Sequence, residues 1–511
     1  MSELAIRPSI GFVPAAEPFE GRHLIDGAWQ GSADGATFER ISPSHGVVVS
    51  RSAQGSAAEA EAAVLAAERA FDAGVWSGIS GKERATVLLK VADLIEANAD
   101  RMIELEVLES GKPIAQARGE VTGAADLWRY AASLARTVHG DSHDTLGEDM
   151  VAMVLKQPIG VVSIITPWNF PFWILSQKLP FALAAGCTCV VKPSEMTPST
   201  TVMLGELLIE AGLPAGVCNI VLGYGEPVGS VLAAHKSVAM VSFTGSTRVG
   251  KMISEVAADT LKKVALELGG KNAQVIFPDA DLEAAADAVV FGTYFNVGQC
   301  CNGSSRVIVH KDIAEAFVER VVALSRKVRF GDPMDEATQV GAIVTEAHNV
   351  QIHKHVEAAQ VAGAKVVLGG GPLNVDGLSD QFYQPTVLID VSAHIGAAQD
   401  EIFGPVLSVM TFDSLEEAVT LANSTDYGLS AGVWSDSVHT CLEFSRRAEA
   451  GTVWTNTWMD GFPEVTFGGA KQSGQGREIG RYGFEEFMEV KSVVMRIGNT
   501  RARWVTDTNE E

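Results

Sequence analysis

Cysteine is scarce in this chain: six in 511 residues, with no CxxC pair and no regular spacing. That argues against a disulfide framework and against a zinc signature, so no metal is expected and a reducing compartment fits. Long apolar runs are missing as well. The longest, residues 179–191, is too short to cross a bilayer and runs into Lys192. The opening MSELAIRPSIGFVPAAEPFEG is broken by Pro and Glu and lacks the apolar core of a secretory signal. A cytoplasmic protein with no membrane partner is the expectation. Basic charge is also short, with 39 Lys and Arg against 63 Asp and Glu and a net charge of -24. The averaged field repels phosphate backbones, which argues against nucleic acid as a partner.

What is present is a folded, Ala- and Gly-heavy composition, 47% hydrophobic and 20% charged, in a chain too long for one core. Residues 1–55 carry Pro, Gly and Ser among short apolar runs and read as an irregular arm with a small hairpin around residues 25–29. Over residues 56–109 apolar positions recur at three and four (Val87, Leu88, Val91, Leu94, Ile95), which predicts amphipathic helices. From Gly160 short apolar runs alternate with helical stretches: VVSII, CTCVV, CNIVL and VAMVSF, each followed by a helical pattern. That alternation predicts right-handed βαβ units and a parallel sheet covered on both faces. A second alternating block, residues 272–467, can form its own α/β core. Residues 137–156 read as a loop or extended hairpin, residues 489–497 as an edge strand, and the final DTNEE as a frayed tail.

Several short stretches carry chemistry. In Asn296-Val-Gly-Gln-Cys300-Cys301-Asn-Gly, two adjacent thiols sit on a polar break after a helical pattern. An inert buried thiol is the commoner use of a cysteine, and spacing alone does not choose between that and a nucleophile. In Leu266-Glu267-Leu268-Gly269-Gly270-Lys271-Asn272 a glutamate stands in an apolar strand. It is either a salt-bridged or solvated side chain or a general base with a raised pKa. Ile165-Thr-Pro-Trp168-Asn169-Phe170-Pro171 follows the first sheet strand, where ligands of open parallel sheets bind. Asn169 there is either a turn former or a donor to an oxyanion. Lys192-Pro-Ser-Glu195 also follows a strand. Phe243-Thr-Gly245-Ser246 opens a helix, where backbone N–H groups and a hydroxyl suit a pyrophosphate. Neither this stretch nor Gly223-Tyr-Gly225 is a GxGxxG fingerprint, and each alone is as well explained by a turn.

Taken in order, TPWNFP, KPSE, FTGST, LELGGKN, GQCC, EIFGPV and GGAKQSGQGRE resemble the aldehyde dehydrogenase superfamily, over nearly the whole chain. The resemblance implies a betaine- or amino-aldehyde-like, hydrolytic, NAD-dependent enzyme. It selects Cys301, two places after the Gln of the GQ motif, as nucleophile. The oxyanion then falls to the Asn169 amide and the Cys301 N–H, and the thioester is hydrolysed with Glu267 as base. Lys178 and Glu478 match positions that pass the proton outward. For the cofactor it implies Lys192 and Glu195 at the adenosine ribose, where Glu195 would repel a 2'-phosphate and favour NAD over NADP. Gly225 is counted with the cofactor residues, Gly245 and Ser246 under the pyrophosphate, Glu401 at the nicotinamide ribose, and Phe403 and Trp168 beside it. The implied fold is α/β: a Rossmann-like cofactor domain (residues 1–136 and 157–266), an α/β catalytic domain (267–470) and a small β oligomerisation arm (137–156 and 485–500). Homodimers or homotetramers follow from that arm.

Substrate choice is read from two stretches: Phe170, Trp173 and Gln177 after TPWNFP, and Trp458, Asp460, Phe462 and Glu464 before FGGAKQSG. Aromatic rings near carboxylates suit an ammonium-bearing aldehyde, because a cation is attracted to ring faces by about 0.5–2 kcal/mol. The same rings would also make a plain funnel for aliphatic or aromatic aldehydes. Neither stretch holds an arginine, which argues against a carboxylate- or phosphate-bearing semialdehyde. Three other functions stay open at this point. A CoA-acylating relative is disfavoured by Glu267, a silent structural protein by the presence of Cys301, Glu267 and Asn169, and a cysteine hydrolase by the lack of a histidine in these motifs.

Overall fold

The computed structural model describes residues 4–498 and 504–505. The expected acidic tail, residues 507–511, and the limits at residues 1–3 and 499–500 lie outside the described residues.

The apolar runs do become a parallel sheet. Val161–Ile165, Thr188–Lys192, Cys218–Ile220, Val238–Thr244 and Lys263–Glu267 pair in parallel, in the spatial order third, second, first, fourth, fifth of that list. Four of these strands are buried along their whole length or nearly so, as a sheet covered on both faces requires. Two antiparallel additions close the edges. One is the hairpin His23–Ile25 and Ala28–Gln30, as expected; the other is Gly474–Gln475 against Glu267. The second of these could not be read locally, because it brings in a two-residue strand some two hundred positions further along the chain.

A second, seven-stranded sheet runs Lys365–Leu368, Thr386–Ile389, Val406–Phe412, Arg306–His310, Ala273–Ile276, Ser430–Trp434 and Thr452–Thr455, parallel except for its first member. Each sheet has its own apolar core. The stretch 137–156 resolves into strands Asp141–His143 and Met150–Pro158, and Met150–Pro158 pairs over its full length with Met488–Arg496. The arm over residues 1–55 is more ordered than expected. Phe19–Gly21, Thr37–Ile41 and Val48–Ala53 form a small sheet whose period was masked by exposed polar residues.

The helical start is set by local signals. Ser56 and Glu59 form a capping box on Ala57–Asp72, and Ser80 and Glu83 another on Gly81–Ala97. Two further helices, Ala99–Ser110 and Ile114–Ala135, enclose a buried charge cluster. Lys112, fully buried between them, donates to Glu106 (2.8 Å) and to both oxygens of Glu120 (2.7 and 2.6 Å). Burial, with Glu106 alongside, holds the Glu120 carboxyl well above its ordinary range. Lys112 also stands 4.7 Å over the Phe170 ring and so ties this cluster to the helix that carries Phe170. Removing the amine leaves two carboxylates facing each other away from water. Lys112→Met is expected to lower unfolding stability by about 3–5 kcal/mol, read as a shifted urea midpoint; an unchanged midpoint would refute the cluster's role.

Candidate active site

The two sheets are joined where the strand Lys263–Glu267 ends and Ala273–Ile276 begins. The intervening glycines are required by what packs on them. A Cβ on Gly269 would overlap the Glu401 carboxylate, and one on Gly270 would overlap the Cys301 carbonyl. Asn272 completes the junction, its Nδ2 donating to the carbonyls of Cys301 (2.7 Å) and Gly303 (3.0 Å). Three stretches that lie apart in sequence therefore meet on one short crossing.

The cysteine loop is strained. After the helix Leu282–Tyr294, Asn296 (φ 49°), Val297 (φ 52°) and Gly298 (φ 75°) are all left-handed. For a β-branched residue that costs about 1–3 kcal/mol. Side chains hold the loop in place. Asn296 Nδ2 donates to the carbonyls of Asn169 (3.0 Å) and Gln299 (3.2 Å), and Gln299 Oε1 accepts from Val344 N–H (2.9 Å). Asn169 Nδ2 donates to Gln299 O (3.1 Å), which fixes its amide against the loop with a second N–H still to give.

The two thiols differ. Cys300 is buried against Phe170 and Ile174 and contacts Asn302 Oδ1 at 2.9 Å. Burial pushes its thiol up to about 12. Cys301 is partly exposed. Burial of the sulfur first, then the neighbouring Cys300, Glu267 and Glu401, also raises its pKa, so the resting form is a thiol and attack needs a base.

Glu267 supplies a candidate base. Burial, reinforced by the Glu478 carboxylate, lifts it to about 8, while Gly469 N–H donates to its Oε1 (3.2 Å). Beneath it Lys178, fully buried, donates to Glu478 and to Ser242 Oγ (3.2 Å). The structure thus brings Cys301, Glu267, Asn169, Lys178 and Glu478 into one contiguous set.

On the cofactor side, the strand order reverses between Val161–Ile165 and Val238–Thr244, the switch point at which open α/β sheets bind ligands. Gly245 and Ser246 lie there. Ser246 caps the helix Thr247–Ala257 by accepting from Val249 N–H (3.4 Å), and the Phe243 ring occupies the space a side chain on Gly245 would need. Gly225 faces open space. Lys192 is buried, which lowers its pKa; its Nζ donates to Pro193 O (2.9 Å) and stands 3.7 Å from Glu195. Across the crevice Glu401 accepts from Gly270 N–H (3.0 Å) and is lifted by burial to about 7. Phe403, itself left-handed (φ 57°), meets Trp168 edge-on at 5.5 Å. His348 Nε2 lies 2.8 Å from the Phe403 carbonyl and was not anticipated, because it comes from a helix with no motif of its own. Thr244 Oγ1 is buried with no hydrogen-bond partner among the described residues, and Thr244 lines the same cavity as Glu267 and Cys301. An orphan hydroxyl, an open glycine turn, a helix N-terminus and a buried carboxylate fit a dinucleotide.

A cavity of about 950 Å³ opens onto Cys301 and Glu267. Phe170, Trp173 and Gln177 line it, as do Asp460 and Phe462. Trp458 does not. It is 4% exposed and turned inward, filling the space left beside Gly292 and Gly432 and packing on Trp454 at 4.9 Å. Trp454 takes the lining place instead, together with Phe291 and Phe295 from the helix before the cysteine loop. Glu464 is also outside the lining. A third wall, residues 324–340, went unread in the sequence and brings Lys327 and Arg329 to the outer end. The absence of arginine therefore holds for the two stretches first considered and not for the cavity as a whole.

The sequence model of the Aldehyde dehydrogenase family matches residues 29–493. Betaine aldehyde dehydrogenase of Bacillus subtilis is 39% identical over 482 residues, 94% of this chain and 98% of that protein. Among solved structures, the NAD-dependent aldehyde dehydrogenase from Sinorhizobium meliloti superposes with a TM-score of 0.94 at 49% identity, covering 97% of this chain and 99% of that one. A Staphylococcus aureus betaine aldehyde dehydrogenase in complex with NAD+ gives 0.93 at 36% identity, covering 95% and 97%. With the motifs assembled around one cavity and the match spanning nearly its whole length, this chain belongs to the aldehyde dehydrogenase family.

Proposed function

We propose that this enzyme oxidises an aldehyde to its carboxylic acid with NAD, through a thioester on Cys301. The observation that carries the reading is that Cys301 and Glu267 face one cavity, which Thr244 at the end of the switch-point strand also lines. The Cys301 thiol gives its proton to Glu267, and the sulfur attacks the aldehyde carbon. The oxyanion that forms is held by the Cys301 N–H and the uncommitted N–H of Asn169. NAD, when bound, accepts the hydride lost as the carbon–hydrogen bond breaks. Glu267 then takes a proton from the water that attacks the thioester, the carbon–sulfur bond breaks, and the acid leaves. Lys178 and Glu478 carry the proton away from Glu267.

Lys192 and Glu195 would hold the adenosine ribose, Gly225, Gly245 and Ser246 the phosphates, and Glu401 the nicotinamide ribose beside Phe403 and Trp168. The first sheet with residues 1–136 and 157–266 serves as the NAD-binding unit, and 267–470 as the catalytic unit. Strands within 137–156 and 485–500 form the oligomerisation arm of a homodimer or homotetramer; the exposed Val490 and Val494 on that arm support this. A cytoplasmic location agrees with the lack, among the described residues, of any helix long and apolar enough to cross a membrane.

For the substrate we favour an ammonium-bearing aldehyde. Trp173, Trp454 and Phe462 surround the cavity with Asp287 and Asp460 among them, while Glu120 is paired with Lys112 and Glu336 with Arg118. One face of Phe170 is already taken by Lys112, so Trp173 and Trp454 are the rings that would meet the cation.

Three outcomes are expected. In an NADH-formation assay with betaine aldehyde, an aminoaldehyde, hexanal and benzaldehyde, the wild type turns over and Cys301→Ala does not; the cationic aldehydes give the highest kcat/KM, and a preference for hexanal would overturn the substrate reading. Because Glu267 must be deprotonated to act, kcat/KM rises about tenfold per pH unit below its pKa and levels off above about 8. Glu267→Gln should abolish that rise, and a rise that survives the substitution would remove Glu267 from the role. Glu195→Gln should raise NADP use severalfold relative to NAD, and an unchanged ratio would show that Glu195 does not set the preference.

A further inference from the structure

The family match begins at residue 29, yet residues 5–10 before it bond to the segment that carries one wall of the cavity. Chain termini are usually poorly ordered unless tied down. Here Ile6 bridges Phe330 in parallel; Arg7 N–H donates to Phe330 O (2.8 Å), and Phe330 N–H donates to Ala5 O (3.0 Å). Two carboxylates then take the arm's polar groups. Asp332, fully buried, accepts from Ile10 N–H (3.2 Å) and Ser9 Oγ (3.3 Å) on one oxygen, and on the other from Met334 N–H (3.0 Å) with His45 Nε2 at 3.3 Å. Asp335 accepts from Arg7 Nε at 2.7 Å, and its other oxygen caps Ala337 N–H at 2.9 Å. The residues of this segment that face the cavity lie on either side of the two anchors, Lys327, Val328 and Arg329 before them and Glu336, Thr338, Gln339 and Val340 after.

We propose that this N-terminal arm is a specificity determinant: by holding Asp332 and Asp335 it positions the outer wall of the cavity and so selects aldehydes by length, without touching the reacting atoms. The inference rests on reading the cavity as the aldehyde's. Selection by length follows if a short aldehyde seated at Cys301 stops short of this wall while a long one lies along it. The hold is in force at neutral pH. Hydrogen bonds from the backbone N–H of Ala337 and from Arg7 keep Asp335 below the usual carboxylate range, and donors including His45 and Met334 N–H keep Asp332 low despite its burial. Arg7 and Ser9 are positioning residues; the wall they hold meets the helix before the cysteine loop through the Phe330–Tyr294 ring contact (6.5 Å), and the loop itself is bonded further along at Val344–Gln299.

The test uses the full-length enzyme and its Arg7→Ala, Ser9→Ala and Arg7→Lys variants, with kcat and KM measured for propanal and decanal. The expected result is a change of about threefold or more in the decanal KM for Arg7→Ala and Ser9→Ala. The propanal KM and both kcat values should stay at wild-type levels, and Arg7→Lys should restore the decanal value. A decanal-to-propanal KM ratio that does not move would overturn the proposal, as would an equal loss of kcat with both aldehydes, which would make the arm merely structural. If Arg7→Ala precipitates, Ser9→Ala carries the same comparison. A wild type inert toward every aldehyde would defeat the functional reading itself, whereas an active wild type with an unmoved ratio defeats only this one.

Discussion

Two glycines between the sheets set the terms for the packing around Cys301. Glu267 is the last residue of a strand in one sheet, and six residues later the chain enters the other. Within that span Gly269 lies against the Glu401 carboxylate and Gly270 against the Cys301 carbonyl. A side chain at Gly270 would press on the Cys301 backbone, and one at Gly269 would displace the Glu401 carboxylate. Packed interiors do not absorb such a displacement smoothly, and catalysis by positioned groups loses orders of magnitude with shifts of about an ångström.

The close crossing also explains the site's electrostatics. Drawing a thiol, Glu267, Glu401 and Glu478 together away from water penalises every charged form at once. Glu267 and Glu401 accordingly stand near neutrality, at about 8 and about 7, instead of in the ordinary carboxylate range. A base poised there can both accept and release a proton at physiological pH. Lys178, held between Glu478 and Ser242, keeps the cluster from becoming wholly uncompensated. The strained run Asn296, Val297 and Gly298 is held from outside that crossing, by hydrogen bonds of Asn296 to Asn169 and of Gln299 to Val344.

Much of this was legible in the sequence because its signals are local. Strand periodicity, the capping boxes at Ser56 and Ser80, and the turn stretches around Asn169, Gly245 and Glu267 each sit in a window of a few residues, and the structure places them where the alternation of strand and helix implies. What the sequence hid is non-local. Trp458 reads as a wall residue because it lies in the stretch before FGGAKQSG, but the voids beside Gly292 and Gly432, far from it along the chain, draw its ring inward and leave Trp454 on the cavity. The wall at residues 324–340 has no motif, since its shape comes from backbone pairing with the N-terminal arm and from two buried or capping aspartates. His348 likewise acquires its contact with Phe403 only through the fold.

The central claim is that Glu267 releases an acyl group from Cys301. The most direct measurement is intact-protein and peptide mass spectrometry of Glu267→Gln after mixing with NAD and a substrate aldehyde, alongside the amount of NADH formed. Because Glu267 also takes the Cys301 proton, the account predicts slow NADH formation that stops at one per chain, with the acyl mass retained on the peptide containing Cys301. Continued turnover with no adduct, or an adduct on any other residue, would contradict it.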